Sequence, residues 1–285
     1  MKLLRVGTAG AERPALRDAD GALRDLSGVV PDIDGALLAD TAALDRVRAA
    51  ADAGRLPVLD PAGLRVGPPV ARIGKVVCIG LNYHDHARET GAATPAEPVV
   101  FLKAPDTVVG PYDPVLVPRG SVKTDWEVEL AVVIGRTARY LESAREGLAC
   151  VAGYAVAHDV SEREFQMERG GTWDKGKNCE TFNPLGPWLV TADEVPDPQR
   201  LPLRLWVNGV LRQDGTTADQ IFPVGEVVRS LSRFMTLYPG DVVNTGTPAG
   251  VAMGQPEPKP YLRAGDVVEL EIEGVGRQRQ EMRPA

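Results

Sequence analysis

Apolar and polar positions alternate over short stretches along most of this chain, and turn residues close each stretch within a few residues. That rhythm predicts strands more often than helices. Leu3-Leu4-Arg5-Val6 and Pro14-Ala15-Leu16-Arg17 read as short strands, with a hairpin signal at Asp20-Gly21. Between Ile33 and Ala50 the apolar spacing becomes helical, in sequence rich in Ala and Leu. Pro57, Pro61, Pro68 and Pro69 then mark a linker, so residues 1 to about 55 read as a small module of their own.

Beyond the linker, Ile73–Gly80 predicts a buried strand that ends in glycine. Asn82 is placed to cap a short helix from Tyr83 to Thr90, which Gly91 stops. Further strands are expected at Val99–Lys103, Asp125–Ile134 and Gly153–Asp159. Asn208-Gly209 joins Leu203–Val207 to Val210–Gln213 as a two-residue hairpin. A helix starting near Pro223 presents Val224, Val227, Val228, Leu231, Phe234 and Met235 on one face. Asp241–Thr245 and Asp266–Glu273 complete the strands. With no sustained βα alternation, the pattern predicts a β-rich α+β protein.

Composition narrows the function. A net charge of -7 with no basic run argues against nucleic acid as a partner. No stretch approaches the roughly 20 apolar residues that span a bilayer, so no membrane partner is expected. The first residues lack the apolar core of a signal peptide, and the three cysteines lack metal-ligand spacing. A cytoplasmic location with reduced thiols is the expectation. No glycine-rich phosphate loop or dinucleotide fingerprint is present.

Candidate chemistry begins in Asp125-Trp126-Glu127-Val128-Glu129-Leu130. In a strand, Glu127 and Glu129 share one face, and Trp126, Val128 and Leu130 share the other. Asp159 ends the next strand on a face with Ala155 and Ala157, where small side chains leave room. Three carboxylates suit a hard divalent cation and leave positions for water and substrate oxygen. A solvated acidic strand face is the alternative reading of the hexapeptide alone. His86 and Glu89, spaced i, i+3, meet on one helix face, where the glutamate can fix an imidazole that takes a proton from water. A plain surface pair is the alternative there. His84 falls on another face, and His158 points away from Asp159. Lys175 and Lys177 sit in a glycine-rich loop, and loop chemistry does not choose between them. Thr245-Gly246-Thr247-Pro248 offers hydroxyl and backbone donors suited to a carboxylate. Cys179 is read as a packing residue.

Taken together and in order, these segments resemble the fumarylacetoacetate hydrolase family. The matching text runs from Ile79-Gly80-Leu81-Asn82-Tyr83 through His86 and Glu89 to Phe101-Leu102-Lys103. It continues in Trp126–Gly135, Gly153-Tyr154 through Ser161, Gln166, Gly176-Lys177, Pro184–Trp188 and Asn244–Pro248. The resemblance implies a mixed β-roll catalytic domain over residues 69–285, with a small N-terminal α/β domain and linker over 1–68, and a homodimer. It implies Mg²⁺ or Mn²⁺ at Glu127, Glu129 and Asp159, with His86 and Glu89 as the water-activating pair on a segment that orders over substrate. By the same match Lys177 is preferred to Lys175, and Gln166 and Thr247 contact the substrate, a small 2-oxo acid.

The implied reaction is hydrolysis of a C–C bond in a 2,4-diketo acid, giving pyruvate and a second carboxylic acid. The same enolate chemistry serves decarboxylation of oxaloacetate-like acids or isomerisation of unsaturated dicarboxylates. A non-catalytic metabolite-binding protein is a third reading, which the retained His86, Glu89 and Lys177 oppose. Where the family often has Ser-Phe-Asp after its lysine, this chain has Asn178-Cys179-Glu180-Thr181. That departure, with the leading segment Met1–Asp34, resembles the branch acting on 2,4-diketo-3-deoxy sugar acids such as the rhamnonate and fuconate derivatives.

Overall fold

The structure, a computed structural model, describes residues 1–285. Its centre is a large mixed sheet in which Val128–Ile134 pairs antiparallel with Val151–His158 on one side and with Val242–Asn244 on the other. Val76–Gly80 and Val99–Lys103 continue the sheet beyond Val242–Asn244. Asn183–Thr191 continues it beyond Val151–His158. A second, five-stranded sheet holds Val210–Thr216, Pro202–Val207, Val267–Ile272, Gly276–Pro284 and Val115–Val117 in that order.

Period-two alternation decides what covers each face of the central sheet. Val128, Leu130, Val132 and Ile134 share a core with Leu203, Leu205, Val268 and Leu270 of the second sheet, and with the helix Val224–Phe234. Ala131, Val133, Ala155 and Ala157 point the other way, into a core built with Leu3, Leu16, Leu37 and Val47. Every residue of Val128–Ile134 is buried, which removes the solvated-strand reading of the acidic hexapeptide. A strand covered on both faces leaves Glu129 little water, so protein groups must do most of the stabilising.

The N-terminal segment shares the central sheet and one of its cores. Lys2–Val6 pairs antiparallel with Asn183–Thr191, and Arg13–Arg17, Leu23–Asp25 and Val58–Leu59 follow outward. The helical stretch expected as one element from 33 to 50 is two helices, Gly35–Ala39 and Thr41–Asp52. Asp40 causes the break. Its extended backbone ends the first helix while its carboxylate accepts from the Ala43 N–H and caps the second. The Asn208-Gly209 hairpin is present with both residues at positive φ, 51° and 77°, as its turn type requires.

Two other expectations are corrected. The helix after Tyr83 runs His84–Thr90, with Gly91 at φ 66° ending it, but Asn82 does not cap it. The Asn82 amide donates to the Thr245 carbonyl at 2.7 Å and the Phe222 carbonyl at 3.2 Å, and its oxygen accepts from the Phe222 N–H at 2.8 Å. It ties the helix entrance to two distant loops, because a fully buried amide does best where it satisfies several backbone groups at once. On Val224–Phe234 the buried apolar face stops at Leu231, and Phe234, the last helical residue, is exposed.

Replacing Asn82 with alanine strips three backbone groups of their bonds, one of them fully buried and two partly so. The expected loss is about 2–3 kcal/mol of folding stability, measured by chemical denaturation. A loss below about 0.5 kcal/mol would show that water replaces the amide there.

Candidate active site

The ends of two central strands bring the acids together. The strand breaks after Thr124–Asp125 and resumes at Val128, so Glu127 lies just outside the regular ladder. Register nonetheless continues, because the Asp159 N–H donates to the Glu127 carbonyl at 3.1 Å. Glu129 sits opposite Ala157 on the face of small residues. One carboxylate oxygen from each of Glu127, Glu129 and Asp159 lies within 4.8 Å of the others. All three are buried, at 5%, 2% and 0% exposure.

Cations and backbone donors compensate this charge. Lys177 donates to Glu127 at 2.8 Å and to Asp159 at 3.1 Å, and its ammonium lies 4.8 Å from the Phe101 ring centre. Lys103 is ion-paired with the other Asp159 oxygen and donates to the Val160 carbonyl. Arg163 spans Glu127 at 2.6 Å and Asp125 at 2.8 Å. The Gly246 N–H donates to Glu129 at 2.7 Å. Burial pushes the Glu127 pKa upward, but Lys177 and Arg163 outweigh it and hold the group at about 2. Burial also opposes the charge on Lys177, yet Asp159 and Glu127 raise its pKa, so it stays protonated. Glu129 behaves oppositely: burial, then repulsion from Asp159 and Glu127, raises its pKa well above the ordinary glutamate range.

The donor set fits a hard divalent cation. All three donors are carboxylate oxygens, each oxygen has two lone pairs, and the existing bonds leave acceptor capacity. Repulsion felt by Glu129 is the kind that a cation among the three groups relieves. Discrimination between Mg²⁺ and Mn²⁺ is not written in this geometry, since both accept oxygen ligands.

A cavity of about 530 Å³ opens over these acids and is lined by Glu127, Glu129, Arg163 and Lys177 together with His86 and Glu89. The His86 Nδ1 lies 3.1 Å from the Glu89 Oε2, and the other Glu89 oxygen accepts from the Gly250 N–H at 2.9 Å. Glu89 is therefore fixed at both oxygens, and the imidazole keeps its other nitrogen free. Gly254 makes room for this pair, since a Cβ there would lie 2.3 Å from the Glu89 Cδ. Gln166 and Thr247 also line the cavity. The Gln166 oxygen accepts from Arg163 at 3.0 Å, while the Thr247 hydroxyl donates to the Val128 carbonyl and accepts from Gln213.

The structure separates the two lysines that loop chemistry leaves open. The expected loop contains a short helix, Asp174–Lys177, which buries Lys177 and sends the exposed Lys175 to the Arg169 carbonyl. His84 is exposed on the same helix that buries His86. His158 turns from the acids to Gln280 at 3.0 Å, and burial lowers its pKa to about 4, so it is neutral. Cys179 is half-buried, and burial pushes its thiol up to about 11, which leaves no thiolate at neutral pH.

Sequence reasoning missed Arg163, Lys103 and Asp125. Asp125 accepts from Arg163 and from the Ala252 and Met253 N–H groups, so it joins the acidic strand to the 250–254 loop. A signal existed: Lys103 and Arg163 flank strand ends in segments whose neighbours are apolar or acidic. A cation there needs a buried acid.

Such a fold and site suit an enzyme with a divalent cation among its buried carboxylates. The chain belongs to the fumarylacetoacetate hydrolase family: the model of the fumarylacetoacetate (FAA) hydrolase C-terminal region matches residues 75–283. A Burkholderia ambifaria (strain MC40-6) protein provisionally named a hydrolase is 54% identical over 285 residues, covering 100% of both chains. The fumarylacetoacetate hydrolase of Exiguobacterium antarcticum is 34% identical with a TM-score of 0.85, over 100% of both chains. Maleylpyruvate hydrolase from Sphingobium sp. SYK-6, solved with manganese(II) and pyruvate, is 30% identical with a TM-score of 0.81, again over 100% of both chains.

Because Glu129 holds its proton well above the usual range, a cation entering the three carboxylates must displace it. Mg²⁺ binding is expected to release protons and to tighten as pH rises. Without the cation, the folded protein holds this proton more tightly than the unfolded chain does. Its contribution to stability therefore falls as pH climbs above the ordinary glutamate range. Calorimetry in buffers of different ionisation enthalpy measures the release. Binding that is independent of pH and releases no proton would show Glu129 to be ionised beforehand.

Proposed function

We propose that this chain is a divalent-cation-dependent hydrolase of C–C bonds in 2,4-diketo acids of the acylpyruvate type, yielding pyruvate and a second carboxylic acid. One observation carries the reading: a single cavity is lined by Glu127 and Glu129 of the three-carboxylate cluster and by a histidine fixed by a glutamate. Binding a 2-oxo acid needs the first, and activating water needs the second.

A bound Mg²⁺ or Mn²⁺ would be held by Glu127, Glu129 and Asp159 and would supply Lewis-acid polarisation of the 2-oxo acid oxygens. Arg163 and Gln166 line the same cavity and carry N–H groups able to orient the substrate carboxylate, and Thr247 lines it beside them. His86 takes a proton from water through the nitrogen that Glu89 leaves free, and the hydroxide adds to the distal carbonyl. Collapse of that adduct breaks the C–C bond, releasing the second carboxylic acid and the enolate of pyruvate. Lys177, protonated and buried, faces the developing negative charge with a donor already in place. A proton returned to carbon completes pyruvate.

The sugar-acid version of this reading rests on the residues after Lys177 and on the leading segment. A 2,4-diketo-3-deoxy sugar acid belongs in the same substrate panel. A related structure, the 2-hydroxyhepta-2,4-diene-1,7-dioate isomerase of Mycobacterium marinum, is 32% identical with a TM-score of 0.76. Enolate stabilisation without water attack is therefore the competing outcome.

The test is an assay of acylpyruvates with Mg²⁺, reading pyruvate, the second acid and CO₂ separately. Pyruvate and the acid should appear in equal amounts, chelation should stop turnover, and Mg²⁺ or Mn²⁺ should restore it. CO₂ without a second acid would overturn the hydrolase reading.

His86→Ala should lower kcat by about 10²–10⁴-fold, the usual worth of a positioned general base, while Mg²⁺ and oxalate still bind. Gly254→Ala, which drives Glu89 off the imidazole, should fall between this variant and the parent. Loss of Mg²⁺ binding in His86→Ala would show that this histidine holds the ion.

A further inference from the structure

Three cationic side chains line the cavity: Arg163, Lys177 and Lys259. Arg163 and Lys177 are committed to buried carboxylates. Lys259 is different. Its ammonium bonds only to the Met253 carbonyl and has no carboxylate within ion-pair distance. Even Glu257, two residues away, spends its carboxylate on the Lys259 backbone N–H. A partly buried ammonium with one neutral acceptor keeps two donors to offer.

Its place in the cavity can be read from its partner. Met253 precedes Gly254, the residue packed against Glu89. The Met253 N–H is itself tied to Asp125 at 3.0 Å, so the carbonyl that holds Lys259 is fixed. Lys259 is thus tied to the turn Ala252–Gly254, which packs on the helix that carries His86 and Glu89. On the hydrolase reading, this is where the distal carbonyl meets water, and whatever follows that carbonyl lies toward Lys259.

We propose that Lys259 forms an anion subsite for a carboxylate at the far end of the substrate, making the preferred 2,4-diketo acids dicarboxylates. The proposal rests on that reading only for the direction in which the substrate lies. A neutral polyol or alkyl tail would leave the ammonium with its single carbonyl partner. A carboxylate would give it a charge-assisted hydrogen bond in a cavity large enough for the whole molecule.

Succinylpyruvate and butyrylpyruvate test it, because they differ only in a carboxylate or a methyl group at the tail. The unmodified protein should favour succinylpyruvate in kcat/KM by about 10–100-fold, the range of a hydrogen bond to a charged group. Lys259→Met should collapse that ratio toward one, Lys259→Arg should keep most of it, and Lys259→Glu should reverse it. A second readout needs no turnover: calorimetric binding of 2-oxopimelate against 2-oxoheptanoate, with Mg²⁺ present, in the same variants. Preference for 2-oxopimelate that depends on Lys259 in a protein hydrolysing neither diketo acid would support the subsite and sink the hydrolase reading. Equal kcat/KM for the two diketo acids, or a preference unmoved by Lys259→Met in both readouts, would overturn the subsite.

Discussion

The structure depends on one electrostatic constraint: Glu127, Glu129 and Asp159 are held close together with almost all of their surface buried. Buried carboxylates of like sign are costly unless cations and hydrogen bonds compensate them. Lys177, Lys103, Arg163 and the Gly246 N–H each come from a different segment and meet at this point. Central strands, the short helix after Trp173, and the 245–254 loop are therefore tied together by the chemistry they surround. Removing one partner leaves a buried charge exposed to its neighbours, so the cluster stands or falls as a unit.

Close approach of backbone segments is the steric side of the same constraint. A Cβ on Gly176 would lie 2.3 Å from the Glu162 carbonyl oxygen, so only glycine lets the short helix sit near enough for Lys177 to reach the acids. Gly246 has φ 95° and packs on Asn82, which turns its N–H to Glu129. Asn82 in turn holds the entrance of the His86 helix. One glycine and one buried amide thus link the cation site to the proposed water-activating pair.

Much of this was legible from period and chemistry. Alternation at Val128–Ile134 and at Ala155, Ala157 and Asp159 assigned the acids to one face, because in a sheet that assignment is local and rigid. The i, i+3 spacing of His86 and Glu89 worked for the same reason on a helix. Reasoning from spacing stopped where a side chain's role is set by segments distant in the chain. Asn82 looked like a cap because caps are local, yet its partners are at 222 and 245. Asp40 splits the helical stretch through its own backbone, which apolar spacing does not register. Lys103, Asp125 and Arg163 reach the site through ion pairs with residues tens of positions away.

Two kinds of anchoring divide the cavity. At the acid end Glu127, Asp159, Lys103, Lys177 and Arg163 are ion-paired and buried, and Glu129 accepts one backbone N–H, which suits the cation proposed there. At the His86 end the anchoring is lighter: the imidazole is held at one nitrogen, and Lys259 at one carbonyl. Uncommitted donors are useful there, because a catalytic nitrogen needs an unoccupied lone pair and a recognition group needs an unfilled hydrogen bond. Burying them as deeply as Lys177 would satisfy them within the protein and leave nothing for water or substrate. The same physics that makes the acid end rigid thus requires the opposite end to remain partly unsatisfied. On the proposed reading, that asymmetry favours one direction for a 2-oxo acid, with its oxo-acid end toward the carboxylates and its tail toward Lys259.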